Sequence, residues 1–210
     1  MKLYIYEHCP FCTRARMIFG LKGLPVETQV IMEGDADTPT RLIGKKAVPI
    51  LTREDGSHMG ESLDIVRYID GLGTPMLTAP QDPALDAWGK DAWSPALKLF
   101  IPRFTQGDFA ELATPQAREA YRLREEKAFG DLDALRARTP ELLDDVNGRL
   151  EALAPLLEGR TAVGYSDITL WPILRSLSIV AGLRFPTAVR AYMDRLARQT
   201  GVPLLFDQAK

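Results

Sequence analysis

Both cysteines of the chain lie in one short stretch, Tyr6-Glu7-His8-Cys9-Pro10-Phe11-Cys12, directly behind an apolar strand pattern at Leu3, Tyr4 and Ile5. Behind them, Ala15, Met17, Ile18, Phe19 and Leu21 recur at helical spacing up to Gly23, and a proline at the first helical position suits such a start. The order is therefore strand, Cys-x-x-Cys, helix. A sulfur at a helix N-terminus faces unpaired N–H groups and the positive end of the helix dipole, which lower a cysteine pKa from about 8.5 into the range of roughly 3.5–7.5. Cys9 is expected to be the nucleophile. Cys12 lies one turn on, within disulfide reach but further from the helix end, and is expected to titrate higher and to resolve. His8 is read as a solvated side chain, although a protonated imidazole there would add positive potential.

Other uses of the pair are weaker. A structural zinc site needs four ligands, and the chain has no third cysteine and only one further histidine, His58, in a polar turn; no metal is expected. A disulfide closing so small a loop would constrain the unfolded chain little.

With 210 residues and 46% hydrophobic content the chain can bury a substantial core in one or two domains. Glu7 and His8 interrupt the first apolar run before it reaches the length of a signal-peptide core, and no stretch reaches a membrane span. The expected compartment is the cytoplasm, where a reducing environment favours a catalytic over a structural pair. A formal charge of −2 and the absence of a basic run argue against nucleic acid as a partner.

Leu24 to Ile31 reads as a second strand, parallel to the first through the intervening helix. Thr38 to Gly44 reads as a short helix capped by Thr38. In Ala47-Val48-Pro49-Ile50-Leu51-Thr52-Arg53 the proline opens a strand. A cis Val48–Pro49 bond would turn the Val48 backbone toward the dithiol to pair with an extended peptide. Glu54 to Ser57 reads as a hairpin turn. Ser62 then reads as the cap of a helix carrying Leu63, Ile65, Val66 and Ile69; Glu61, Ser62 and the first N–H groups could instead hold a zwitterion, its amine on Glu61 or Asp64.

Cys9-Pro10-Phe11-Cys12, Val48-Pro49 and Glu61-Ser62 occur in the order and spacing of the thioredoxin-like glutathione-binding domain of glutaredoxins and glutathione transferases. Met1 to Tyr6, Ala15 to Lys22, Asp37 to Arg41 and Asp167 to Arg175 further resemble the two-domain bacterial glutaredoxins of the glutaredoxin 2 type. The resemblance implies an α/β thioredoxin-like domain over residues 1–72, a linker over 73–84 and an all-α domain over 85–210, the glutathione transferase-like architecture. It implies glutathione-dependent reduction of protein disulfides and glutathionylated proteins by Cys9 and Cys12. Glutathione would be the co-substrate, held by the Val48 backbone, Pro49, Glu61 and Ser62, on a monomer. Phe11 departs from the tyrosine usual in small glutaredoxins. Gly164 stands where transferase helical domains commonly carry a Ser or Thr cap.

Leu72 to Pro83 is rich in proline and glycine, as a domain boundary would be. Helices are expected over Ala84 to Phe100, Pro115 to Arg136, Glu141 to Leu157, Asp167 to Ala181 and Thr187 to Arg198. Asp167 reads as a cap or dipole partner rather than a catalytic acid. Lys22, Lys45, Lys46 and Arg53 are the bases available for the glycine carboxylate of glutathione. Trp93, Phe100, Arg103 and Phe104 are candidates for the cleft between domains. Two other functions remain compatible with these residues: a cysteine-type glutathione transferase acting on electrophiles or dehydroascorbate-like acceptors, and a non-enzymatic glutathione-binding interaction module.

Overall fold

The computed structural model describes all residues from Met1 to Lys210. Its first half contains β1 (Lys2–Ile5), α1 (Pro10–Lys22), β2 (Glu27–Val30), α2 (Asp37–Ile43), β3 (Ile50–Thr52), β4 (His58–Met59) and α3 (Ser62–Asp70). The four strands form one sheet in the order β2-β1-β3-β4. β1 pairs parallel with β2, as a strand-helix-strand crossover requires, with Leu3 opposite Thr28. It pairs antiparallel with β3, Leu3 opposite Leu51, and β4 completes a hairpin. Leu3, Ile5, Ile50 and Leu51 are buried, and the C-terminal end of β1 delivers the chain straight to the dithiol.

The second half is helical: α4 (Pro83–Phe104), α5 (Pro115–Phe129), α6 (Leu132–Ala137), α7 (Thr139–Leu157), α8 (Tyr165–Leu177) and α9 (Thr187–Thr200). α8 packs on α4 and α9, and α1 lies between α3 on one side and α8 and α9 on the other. One continuous buried cluster therefore runs from Leu3 and Ile18 through Phe100 to Trp171 and Leu196. No helix is long and apolar enough to cross a membrane.

Several helix ends differ from the sequence reading. α2 starts at Asp37 with Ala36, not Thr38, at the cap position, and Asp35, one residue before it, accepts the Thr38 N–H on its Oδ1 at 3.0 Å. Ser62 is the first residue of α3, not its cap; the cap position belongs to Glu61. The helix expected over Pro115 to Arg136 is two, because Gly130 takes a positive φ of 73° and Asp131 caps a new helix. His58 lies in β4, not in a turn. α4 begins one residue earlier than read, at Pro83, behind a cap from Asp82.

α8 begins at Tyr165 with Gly164 as its cap and ends at Leu177, short of Ala181. Asp167 accepts the Gly164 N–H at 2.8 Å, receives both arms of the Arg160 guanidinium at 2.8 Å and the Tyr192 hydroxyl at 3.0 Å. It is a cap and network centre, as its position implied. The glycine at position 164 has a steric reason: a Cβ there would stand 2.5 Å from the Ala79 carbonyl oxygen, while the Ala79 N–H bonds the Val163 carbonyl at 3.1 Å. The segment leading into α4 is pressed against the start of α8, and a Ser or Thr cap has no room.

A second close approach joins the halves. A Cβ on Gly20 of α1 would lie 1.8 Å from the carbonyl oxygen of Thr200 at the end of α9, so Gly20→Ala must push the two helices apart. We expect a loss of roughly 1–3 kcal/mol for Gly20→Ala, as for other overpacked cores. Gly148→Ala, at an open position of α7, should be stabilising by up to about 1 kcal/mol. Urea unfolding midpoints compare the two.

Candidate active site

Cys9 occupies the N-cap of α1 with extended backbone, φ −67° and ψ 123°. Pro10 follows at the first helical position, where its missing N–H is not needed. The Cys9 Sγ accepts the Cys12 N–H at 3.5 Å. Cys12 is fully buried, its Sγ accepting the Tyr6 N–H at 3.4 Å, and both thiols are free. Donation from the Cys12 thiol is the largest influence on Cys9; with the positive charge of His8 and the N–H groups of Cys12 and Phe11 it outweighs burial and brings the Cys9 pKa down to about 6. Burial, and then the neighbouring Cys9 sulfur, push the Cys12 thiol well above its ordinary value. The expected ordering of the two sulfurs holds, with the partner thiol contributing more than the helix end.

His8 is not solvated. It is 4% exposed, enclosed by the rings of Tyr6, Phe104, Phe109 and Tyr121 at centroid distances of 5.0–5.7 Å. Its backbone N–H and its Nδ1 both meet Glu111 Oε1, at 2.9 Å and 2.6 Å. Glu111 is itself fully buried, in a short helical turn of the second half, Ala110–Leu112. Burial alone would raise its carboxyl; the hydrogen bond and charge of His8 more than offset this and hold it below the usual carboxylate range. Sequence reasoning missed Glu111 altogether, because its partner is 103 residues away and nothing local marks it.

The Val48–Pro49 peptide bond is cis. Val48 lines a cavity of about 330 Å³ together with Cys9, His8, Phe11, Trp93 and Phe100. Neither its N–H nor its C=O is used in the backbone hydrogen bonding of the fold, so both remain available to a bound chain. Pro49 is buried behind it.

Glu61 and Ser62 line a separate cavity of about 260 Å³ with Phe11, Arg14, Asp64 and Arg67. Phe11 belongs to both cavities. Glu61 is the only non-glycine residue with positive φ, 62°, a conformation that costs of order 1–3 kcal/mol and clusters at ligand sites. Its carboxylate is 2.6 Å from Lys45 Nζ. The Ser62 Oγ accepts from Arg14 Nη1 at 3.5 Å. Cys9, Val48, Glu61 and Ser62 thus border adjoining cavities, with Cys12 buried behind Cys9.

The candidate bases separate. Lys46 lines the cavity of Cys9 and Lys45 is engaged with Glu61, whereas Lys22 donates to the Asp70 and Thr74 carbonyls at 2.8 Å. Arg53 lies over the Tyr68 ring. Trp93, Phe100 and Phe104 do line the cavity. Arg103 does not: it is buried, donating to the Leu99 and Lys210 carbonyls at 2.6 and 2.8 Å. No group of three or more His, Cys, Asp or Glu residues is placed to hold a metal ion.

A family model described as the glutaredoxin 2 C-terminal domain matches residues 84–209, and one described as the glutathione S-transferase N-terminal domain matches residues 3–73. Glutaredoxin 2 of Escherichia coli (strain K12) is 44% identical over 214 residues, covering 100% of both chains. The crystal structure of glutaredoxin 2 from Salmonella typhimurium in complex with glutathione superposes with a TM-score of 0.97 at 42% identity, over 100% of this chain and 98% of that one. Gtt2 from Saccharomyces cerevisiae, at 23% identity and a TM-score of 0.61 over 94% of this chain and 96% of that one, shares the fold. Similarity over the full length, through both halves of the molecule, places this chain in the glutaredoxin 2 family.

Proposed function

We propose that the chain is a glutathione-dependent thiol–disulfide oxidoreductase of the glutaredoxin type, acting as a cytoplasmic monomer on protein disulfides and glutathionylated proteins. The observation that carries this is the unequal pair: a half-buried Cys9 brought down to about 6 beside a buried Cys12 pushed well up. At neutral pH only Cys9 is a thiolate, the species that attacks disulfides. Residues 1–72 would supply the glutathione-binding half and residues 85–210 the helical half.

In the monothiol route the Cys9 thiolate attacks the glutathione sulfur of a mixed disulfide. The disulfide bond breaks, the protein thiolate leaves, and a second glutathione then releases Cys9 with formation of oxidised glutathione. In the dithiol route Cys9 attacks a protein disulfide and Cys12 displaces the product from Cys9, leaving a Cys9–Cys12 disulfide for two glutathiones to reduce. In the resting protein Cys12 keeps its proton, so Cys9 alone makes the first attack in either route. Glutathione would pair its backbone with Val48, behind the cis Pro49, and place its γ-glutamyl carboxylate on the α3 N-terminus at Ser62 and its amine on Glu61.

A cysteine-type transferase is the second reading, favoured by the apolar wall of Trp93, Leu97, Phe100 and Ile101 facing Cys9. Conjugation needs no Cys12, so the two readings separate experimentally.

Turnover of a glutathione mixed disulfide, coupled to glutathione reductase and NADPH, should fall by about three orders of magnitude or more in Cys9→Ser and persist in Cys12→Ser. Inactive wild type that conjugates chlorodinitrobenzene would transfer the assignment to the second reading. Alkylation of Cys9 by iodoacetamide should follow a single ionisation with midpoint near pH 6, fast above it and slowing tenfold per unit below. In urea the midpoint should return to about 8.5. Ser62→Ala should raise the KM for glutathione roughly tenfold with little change in kcat, the signature of lost ground-state binding.

A further inference from the structure

The pairing of His8 with Glu111 is not needed to hold the dithiol loop against the helical half, because other bonds do that. The Ala110 N–H donates to Glu7 Oε2 at 2.8 Å, and Arg175 donates to the Glu7 carbonyl at 3.1 Å. A buried carboxylate that approaches both a backbone N–H and a ring nitrogen of the residue next to the nucleophile calls for another account. Glu111 ionised can only accept, so the 2.6 Å contact puts a proton on His8 Nδ1. That settles the tautomer. The other ring nitrogen, Nε2, has no hydrogen-bond partner in the protein, and the ring lines the same cavity as Cys9.

We propose that His8 is the proton carrier of the reaction and that Glu111 is the positioning residue that fixes its tautomer and stabilises its imidazolium. The inference rests on the thiol–disulfide reading above. When the Cys9 thiolate attacks the glutathione sulfur, the S–S bond breaks and its electron pair leaves on the second sulfur. The His8 imidazolium gives its Nε2 proton to that thiolate, so the product departs as a neutral thiol. Neutral His8 then takes the proton from the next glutathione, whose thiolate attacks the Cys9 mixed disulfide and restores the Cys9 thiolate. The sum is one mixed disulfide and one glutathione converted to one thiol and one oxidised glutathione, with His8 protonated again.

The surroundings suit a histidine that cycles. The titratable groups facing it are Glu111, Cys9, Tyr6 and Tyr121, with Arg124, Glu125 and Lys46 elsewhere on the cavity wall. Burial pushes both phenols upward, so they stay neutral. Glu111 Oε2 is buried without a partner, so the imidazole is the only side chain that hydrogen-bonds this carboxylate.

A proton donor matters most for a poor leaving group, which distinguishes this role from a structural one. The test measures single-turnover glutathionylation of Cys9 by quenched flow in the Cys12→Ser background. Two substrates are compared: the mixed disulfides of glutathione with mercaptoethanol, a basic alkyl thiol, and with thionitrobenzoate, an acidic aryl thiol. His8→Gln should slow the alkyl substrate at least about tenfold more than the aryl one, a difference well inside the roughly 10²–10⁴-fold that general acids contribute. Glu111→Gln should move the ratio in the same direction by less. Equal slowing of both substrates, as a changed Cys9 pKa or a shifted loop would give, overturns the inference, and so does no slowing. If His8→Gln does not fold, His8→Asn and Glu111→Gln provide the same ratio. Failure of the parent to glutathionylate Cys9 from either substrate would instead sink the underlying reading, and this inference with it.

Discussion

The dithiol loop depends on a buried cation. Arg175 in α8 is 2% exposed and donates to the Glu7 carbonyl at 3.1 Å, to the Thr13 hydroxyl at 3.5 Å and to the Pro203 carbonyl at 2.8 Å. A guanidinium taken out of water is costly unless its donors are met, and two of these acceptors belong to the segment that surrounds Cys9. The helical half can therefore satisfy its own central arginine only by closing on the thioredoxin-like half. α8 is fixed in turn by the Asp167–Arg160–Tyr192 network at its first turn. Thr13 relays the constraint, its hydroxyl donating to the Cys9 carbonyl at 3.1 Å.

Within that frame the two sulfurs divide one proton unequally because they differ in surroundings, not in chemistry. Cys9 sits where helix geometry leaves N–H groups free, while Cys12 is one turn deeper, fully buried as part of the continuous core. A thiolate is worth having only where it can be solvated or hydrogen-bonded. The buried thiol then becomes a donor to the half-buried Cys9 sulfur, and each position reinforces the other. The aromatic cage of His8 adds a third titratable group within a largely apolar cavity, where charge interactions are stronger than in water.

The wall of the cavity has a similar logic. Phe11 packs against Trp93 at a tilt of 60° and a centroid distance of 5.8 Å, with the Arg14 guanidinium 4.8 Å from its ring. Without a phenol hydroxyl to satisfy, this ring can stand between an apolar cavity at Cys9 and the polar one at Glu61 and Ser62. Arg14 thereby links the dithiol helix to Ser62 of α3, so both cavities are framed from α1.

The amino-acid sequence by itself determined what short-range physics controls. The strand-dithiol-helix unit, the parallel β1–β2 pairing and the separation of Cys9 from Cys12 all follow from residues within a few turns of one another. The Val48–Pro49 dipeptide marked a possible cis bond for the same reason, since X–Pro is where such bonds occur. Helix ends were less legible: Asp35, Glu61 and Gly130 each shifted a boundary through a local bond or a backbone conformation that periodicity does not register. Only the tertiary structure decided the burial of His8, the approach of Glu111 across 103 residues, the removal of Arg103 from the cleft and the need for glycine at positions 20 and 164. Each of these depends on which surface of the helical half meets the thioredoxin-like half. That docking is set by the summed packing of a core shared between them, and no local pattern encodes which residue will face which across it.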